Sequence, residues 1–159
     1  MFSLVSDIDI RPTRFGAPTA RALIAAAMAD LGSRYGGEGD ETPVESVEFD
    51  PPNGLFMIAW RDGVALGCAG WRSHGESDDV AELKRLYVEP SARGTGVASA
   101  LLAAVEDAAR SAGRVRLILE CGDRQPEAVA LYSGHGYERI ENFGYYRDEP
   151  GVLSFGRAL

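Results

Sequence analysis

From Val80 to Ala112 the chain reads as a strand, a tight glycine loop and a helix in immediate succession. Ala81–Val88 (AELKRLYV) has the branched and aromatic content of a strand. Pro90 cannot donate to a ladder and ends it. Arg93-Gly94-Thr95-Gly96-Val97-Ala98 follows, then an alanine- and leucine-rich helix from about Gly96 to Ala112. The first N–H groups of a helix lack internal partners and carry the positive end of its dipole, so they attract anions. Glycines at 94 and 96 let the backbone curl and approach a phosphate closely. No Gly-Lys-Ser/Thr ending is present, and no third glycine completes a dinucleotide fingerprint.

The apolar strand Val115–Glu120 comes next. A strand, a helix and a second strand make a right-handed crossover, so 80–88 and 115–120 are expected to run parallel as neighbours or near neighbours. Upstream, Ile8 and Ile10 alternate with polar residues in a first strand expected to end at Pro12. Pro18–Leu31 is dense in helix formers, with Gly32 as the expected stop. Residues 32–48 are rich in glycine and acids and read as a loop, solvated or able to hold a cation through Tyr35, Glu38, Asp40 and Glu41. Leu55–Trp60 and Val64–Trp71 flank Arg61-Asp62-Gly63, a hairpin signal. Gly67 and Gly70 imply a bulge or a close approach. Pro126 opens a helix that Gly134 and Gly136 end. Tyr137–Ile140 and Val152–Arg157 close the sheet as a hairpin. The expected fold class is therefore α/β (α+β), with a mixed, mostly antiparallel twisted sheet of about seven strands flanked by helices.

The length, 159 residues, is that of one domain, expected to span 1–159. An excess of 24 acids over 16 bases, net −8, argues against nucleic acid as a partner. It is compatible with a cationic, amine-bearing substrate. No apolar run approaches the ~20 residues of a membrane span. MFSLVSDIDIRP lacks the basic and apolar regions of a signal peptide, so the cytoplasm is the expected location. Cys68 and Cys121 sit in apolar strands as free buried thiols, and neither belongs to a metal motif.

Arg-x-x-Gly-x-Ala over 93–98, preceded by Leu86-Tyr87-Val88-x-Pro and followed by Leu101-Leu102, resembles the pyrophosphate loop of the GCN5-related N-acetyltransferases (GNAT). Ala128-x-x-Leu131-Tyr132, with Gly136-Tyr137 after it, resembles a second motif of that family in the expected order. The resemblance covers roughly residues 55–140. It implies the acyl-CoA N-acyltransferase fold, with acetyl-CoA as cosubstrate in a split between the fourth and fifth strands, and no metal. It implies transfer of an acetyl group to a primary amine of a small molecule or peptide by direct attack. A homodimer is compatible with it, although no residue marks one. The alternatives are a non-catalytic acyl-CoA-binding sensor on the same fold and a structural interaction protein that binds no coenzyme.

By that resemblance the backbone of Arg93, Gly94, Thr95, Gly96, Val97 and Ala98 would bind the diphosphate, with a charge contact from Arg93. Leu86, Tyr87 and Val88 would line the pantetheine arm, and a backbone N–H of Leu86 or Tyr87 would meet the acetyl oxygen. Gln125 stands where many members have an asparagine that touches the pantetheine. Tyr132 matches the family's general acid; an ordinary tyrosine is protonated at neutral pH and can donate. For the general base the expectation is Glu82, which a two-residue period places on one face with Lys84, Leu86 and Val88. The other reading of Glu82 is an ion pair with Lys84 or Arg85. His74 is a second base; His135, in a helix-ending turn, has no expected role. The amine is expected among the 32–48 loop, the 72–79 connection and Phe143-Gly144-Tyr145-Tyr146.

Overall fold

The structure is a computed structural model that describes residues 7–159. The leader-free reading of the N-terminus falls in part on residues 1–6, outside the described residues. The elements in order are β1 (Asp9–Thr13), α1 (Pro18–Tyr35), β2 (Gly54–Arg61), β3 (Val64–Ser73), β4 (Val80–Val88), α2 (Val97–Ser111), β5 (Arg116–Gly122), α3 (Pro126–Gly134), β6 (Glu138–Arg139) and β7 (Val152–Ala158). They form a mixed sheet of seven strands, the number the sequence pattern leads one to expect, in the order β1-β2-β3-β4-β5-β7-β6.

Asp62 and Gly63 both hold positive φ (50° and 77°), the twist a two-residue hairpin needs between β2 and β3. β4 and β5 are the parallel pair, joined through α2. Their ladder holds only where Val80, Ala81 and Glu82 face Arg116, Leu117 and Ile118. Beyond that point β4 continues on β3 and β5 continues on β7, so the sheet opens into a cleft.

Apolar packing holds both faces. On one, Leu101, Leu102, Val105 and Ala109 of α2 are fully buried against Leu83, Leu117, Leu119 and Trp71. Burying each such leucine or valine is worth about 1.5–3 kcal/mol. On the other, Ala20 and Leu23 of α1 cover Phe49, Phe56, Ile58 and Cys68. Phe15 stacks on Phe49 there, with ring centroids 4.5 Å apart.

Several boundaries differ from the sequence reading. α1 runs past Gly32 to Tyr35, and Gly36 (φ 81°) ends it by donating its N–H to the Gly32 carbonyl. A Cβ at Gly32 would lie 2.8 Å from the Gly37 carbonyl oxygen, so that glycine admits the returning loop instead of stopping the helix. β1 includes Pro12, which an edge strand tolerates. β6 shrinks to two residues because the Tyr137 N–H is spent on the Tyr132 carbonyl at 3.1 Å, while its hydroxyl donates to Glu106 Oε2 at 2.7 Å in the core.

The largest correction concerns β4. Cys68 pairs with Tyr87 and Gly70 with Lys84, so Arg85 and Leu86 together oppose Ala69. Arg85 carries the bulge at φ 62°. The two-residue period breaks there. Glu82 and Lys84 do not share a face with Leu86 and Val88. Leu86 and Val88 join Ala81 and Leu83 on the α2 side, and Tyr87 packs on the α1 side. The close approach expected at Gly67 is also present: a Cβ there would lie 2.4 Å from the Tyr87 carbonyl oxygen.

Candidate active site

The open mouth between β4 and β5 contains a cavity of about 580 Å³. Leu83–Tyr87 form one wall and Leu119–Gly122 the other. Tyr132 of α3 lies in its lining, and residues from the end of α1 and the loop after it close one side.

Past the end of β4 the glycine loop turns into α2. Gly94 and Gly96 have φ of 75° and 90°, the left-handed region that favours glycine. A Cβ at either would meet nothing within 4 Å, so the face of the loop is clear for a bulky anion. The loop is fixed from behind. Thr95 Oγ1 donates to the Ala92 carbonyl, and Arg93 Nε donates to the Val88 carbonyl at 3.0 Å. The Arg93 guanidinium also lies over the Tyr87 ring at 5.7 Å and 3.8 Å from Asp30.

Leu86, Tyr87, Gln125 and Tyr132 all line the cavity, whereas Val88 is buried under α2. Gln125 accepts the Gly122 N–H at 3.0 Å through Oε1, which holds its amide against the end of β5. The Tyr132 ring stands against Tyr137 and Phe155 at 5.9 and 6.2 Å. Burial, aided by Cys121, pushes its hydroxyl above the ordinary 10, so it keeps its proton at any working pH. Burial also raises the two thiols, Cys68 to about 12 and Cys121 to about 11.

Glu82 is not in the cavity lining. It is 3% exposed and accepts from Arg72 Nε at 3.1 Å, with His74 Nδ1 3.6 Å away. Its ion-pair partner is therefore Arg72, not Lys84 or Arg85. Those two meet Asp40 instead, Lys84 Nζ at 2.9 Å. Burial would raise the Asp40 carboxyl, but Lys84 and Arg85 outweigh it and hold it at about 2. Asp40 is thus unavailable to a cationic ligand. His74 packs edge-on against Phe143 at 5.1 Å outside the cavity, and His135 Nε2 lies 3.1 Å from Ser99 Oγ. Of the expected amine pocket, 35–37, 39–41 and Tyr146 contribute to the lining, but Glu38, the 72–79 connection, Phe143, Gly144 and Tyr145 do not. Tyr146 closes the roof by accepting the Glu41 N–H at 2.6 Å.

The residue the sequence reading missed is Glu120, on β5 across the mouth from β4. It lines the cavity, and its Oε2 is buried without a hydrogen-bond partner among the described residues. Burial lifts its carboxyl from 4.5 to about 7; Lys84 opposes the rise, and Glu82 and Asp40 add to it. A carboxyl that titrates near neutrality in a cleft is suited to take a proton. The signal in the sequence was an acid closing the apolar run Leu117-Ile118-Leu119. Among the described residues, no group of three His, Cys, Asp or Glu side chains is arranged to hold a metal, and no helix is long and apolar enough to cross a membrane.

Comparison with known proteins gives a consistent family. The model of the Acetyltransferase (GNAT) family matches residues 22–137. The chain is 36% identical over 108 residues to IAA acetyltransferase of Azospirillum brasilense, covering 68% of this chain and 70% of that one. It is 32% identical over 143 residues to aminoglycoside N(6')-acetyltransferase type 1 of Stenotrophomonas maltophilia, covering 82% and 93%. A candidate acyl-CoA N-acyltransferase from Klebsiella pneumoniae shares the fold with a TM-score of 0.78 at 28% identity, over 96% of this chain and 97% of that one. A GNAT family acetyltransferase from Elizabethkingia anophelis with acetyl-CoA bound shares it with a TM-score of 0.69 at 17% identity, over 96% and 99%. The chain belongs to the Acetyltransferase (GNAT) family, enzymes that transfer acyl groups from acyl-CoA.

Proposed function

We propose that residues 1–159 act as one catalytic domain that moves an acetyl group from acetyl-CoA to a primary amine by direct attack, with Glu120 as base and Tyr132 as acid. The observation that carries this reading is that both residues line one cleft, at a parallel pair whose ladder stops after three residues. When bound, acetyl-CoA supplies an activated thioester. The amides of 94–98 would bind its diphosphate, and the left-handed turns at Gly94 and Gly96 support that role; the Arg93 N–H, expected to join them, is instead taken by the Pro90 carbonyl at 3.3 Å. The edges of Leu86 and Tyr87, freed where β5 diverges, would align the pantetheine arm. Glu120 would take the proton of the incoming ammonium or amine. The neutral Tyr132 hydroxyl would donate to the departing sulfur.

Glu82 acts at one remove in this reading. Its charge is among those that raise Glu120, and Arg72 fixes its position. Gln125 would steady the turn beside the arm. Free Cys68 and Cys121 fit a reducing compartment, and the cytoplasm is the proposed location. The test is release of free thiol from acetyl-CoA over a panel of primary amines. Amine-dependent release that fails in Glu120→Gln and in Tyr132→Phe supports the reading; release that is independent of amine, or absent with every amine, refutes it.

A further inference from the structure

The β4 wall of the cleft holds two buried cations against one anion. The side chains of Lys84 and Arg85 are 3% and 5% exposed, and both meet Oδ2 of Asp40. Arg85 Nε is buried with no hydrogen-bond partner among the described residues. Among the described residues no other carboxylate at the cleft bonds to either cation. Glu82 is held by Arg72, and Asp30 lies beside Arg34 and Arg93. Glu120 leaves its Oε2 unbonded, and Glu41 and Glu149 are exposed. Asp40 alone therefore bonds the two cations among the described residues, and the Arg85 Nε donor stays unpaired in a place largely closed to water, which is costly until an acceptor joins it. The bulge puts it there: Arg85 holds φ 62°, a conformation that costs a side-chain-bearing residue about 1 kcal/mol or more.

The diphosphate of a coenzyme is not that anion. Its expected site is the start of α2, beyond the end of β4, whereas Arg85 lies in mid-strand beside the Leu86 and Tyr87 edge. We propose that the acceptor carries a carboxylate as well as its amine, and that Arg85 and Lys84, with Asp40 between them, form the subsite for that carboxylate. This rests on the acetyl-transfer reading above. The planar guanidinium fork matches a carboxylate, and Lys84 adds a second donor. The amine of the same molecule then lies toward Glu120, which feels Lys84 as its strongest neighbouring charge. The acidic loop is thereby turned from a cation trap into a clamp that positions two cations.

The experiment uses matched pairs that differ only by the carboxylate: L-phenylalanine and phenethylamine, L-methionine and 3-(methylthio)propylamine, L-lysine and cadaverine, 4-aminobutyrate and propylamine. Thiol release from acetyl-CoA is measured for each, and calorimetry follows binding of each to the protein saturated with coenzyme A. The expected result is an amino acid preferred over its partner by about 100-fold in kcat/KM. Arg85→Gln should erase that preference through KM for the amino acid and leave KM for acetyl-CoA unchanged, and Arg85→Lys should restore part of it. Turnover of the amines without preference, or preference for the decarboxylated partner, overturns the subsite and leaves the acetyl-transfer reading intact. Amino-acid binding without thiol release keeps the subsite and overturns that reading. Neither binding nor turnover of any amino acid in the set overturns the subsite outright. The wild-type comparisons decide this even if an Arg85 variant fails to fold.

Discussion

Replacing Glu120 by glutamine should slow the enzyme and stabilise it at the same time. The carboxyl rises from 4.5 to about 7 because charging it inside the cleft is unfavourable. At 1.36 kcal/mol per pH unit that rise is worth about 3 kcal/mol. The carboxyl is partly open to the cavity, and screening there reduces the figure to about 1–2 kcal/mol. The sign follows from proton counts. Below pH 4.5 both folded and unfolded chains hold the proton. Between 4.5 and 7 the unfolded chain loses it first, so the stability Glu120 contributes at low pH is lost as pH rises through 7. Glutamine is never charged, so Glu120→Gln should be about 1–2 kcal/mol more stable than wild type at pH 8 and gain much less near pH 4.5. Urea denaturation at the two pH values reads this directly. Kinetically, loss of a general base should lower kcat/KM about 10²–10⁴-fold. The wild-type profile should rise with pH and bend near 7, whereas the variant should retain only the limb belonging to the amine. Wild-type activity in the variant together with an unchanged bend near 7 would refute the assignment. Reduced stability of the variant at pH 8 would refute the electrostatics behind it.

Two other substitutions address neighbouring parts of the site. Tyr132→Phe removes the proposed acid but keeps the ring that packs on Tyr137 and Phe155. It should lower kcat about 10²-fold or more with little change in coenzyme affinity, and an unaltered kcat would remove the hydroxyl from the reaction. Asp40→Asn leaves Lys84 and Arg85 without their carboxylate, which they hold at about 2 against an ordinary 3.8. That variant should lose about 2 kcal/mol at pH 7, measured by denaturation. The deficit should shrink as pH falls from 3.8 toward 2, because the native ion pair is lost over that window; a deficit equally large at pH 2 would point to packing instead.

The fold was legible where local chemistry dictates structure. Asp62-Gly63 makes a hairpin, Pro90 stops β4, and Gly94 and Gly96 bend the chain into α2. The apolar runs at 80–88 and 115–120, with a helix between, determine the parallel pair and so the site of the cleft. What the sequence did not carry is the bulge at Arg85. Its cause is tertiary, the pairing of β3 against β4, and nothing in AELKRLYV marks one residue as extra. A strict two-residue period therefore put Glu82 on the wrong set of neighbours. The acid that does line the cavity lies on the other side of the split, in VRLILE, where an acid after three apolar residues reads simply as the end of a strand. Tyr132 was recoverable because its helix carries a spaced pattern; Glu120 was hidden because its meaning comes from a strand distant in sequence.

The most direct test of the account is calorimetric titration of coenzyme A into the wild-type protein and into Gly96→Trp. Gly96 sits at φ 90° with open space beside it, so tryptophan would strain the turn by about 1–2 kcal/mol and fill the face proposed for the diphosphate. The account expects saturable binding by wild type, and loss of that binding by a variant whose circular dichroism still reports the folded sheet. Equal affinity in the two proteins, or no binding by wild type at millimolar coenzyme, would contradict it.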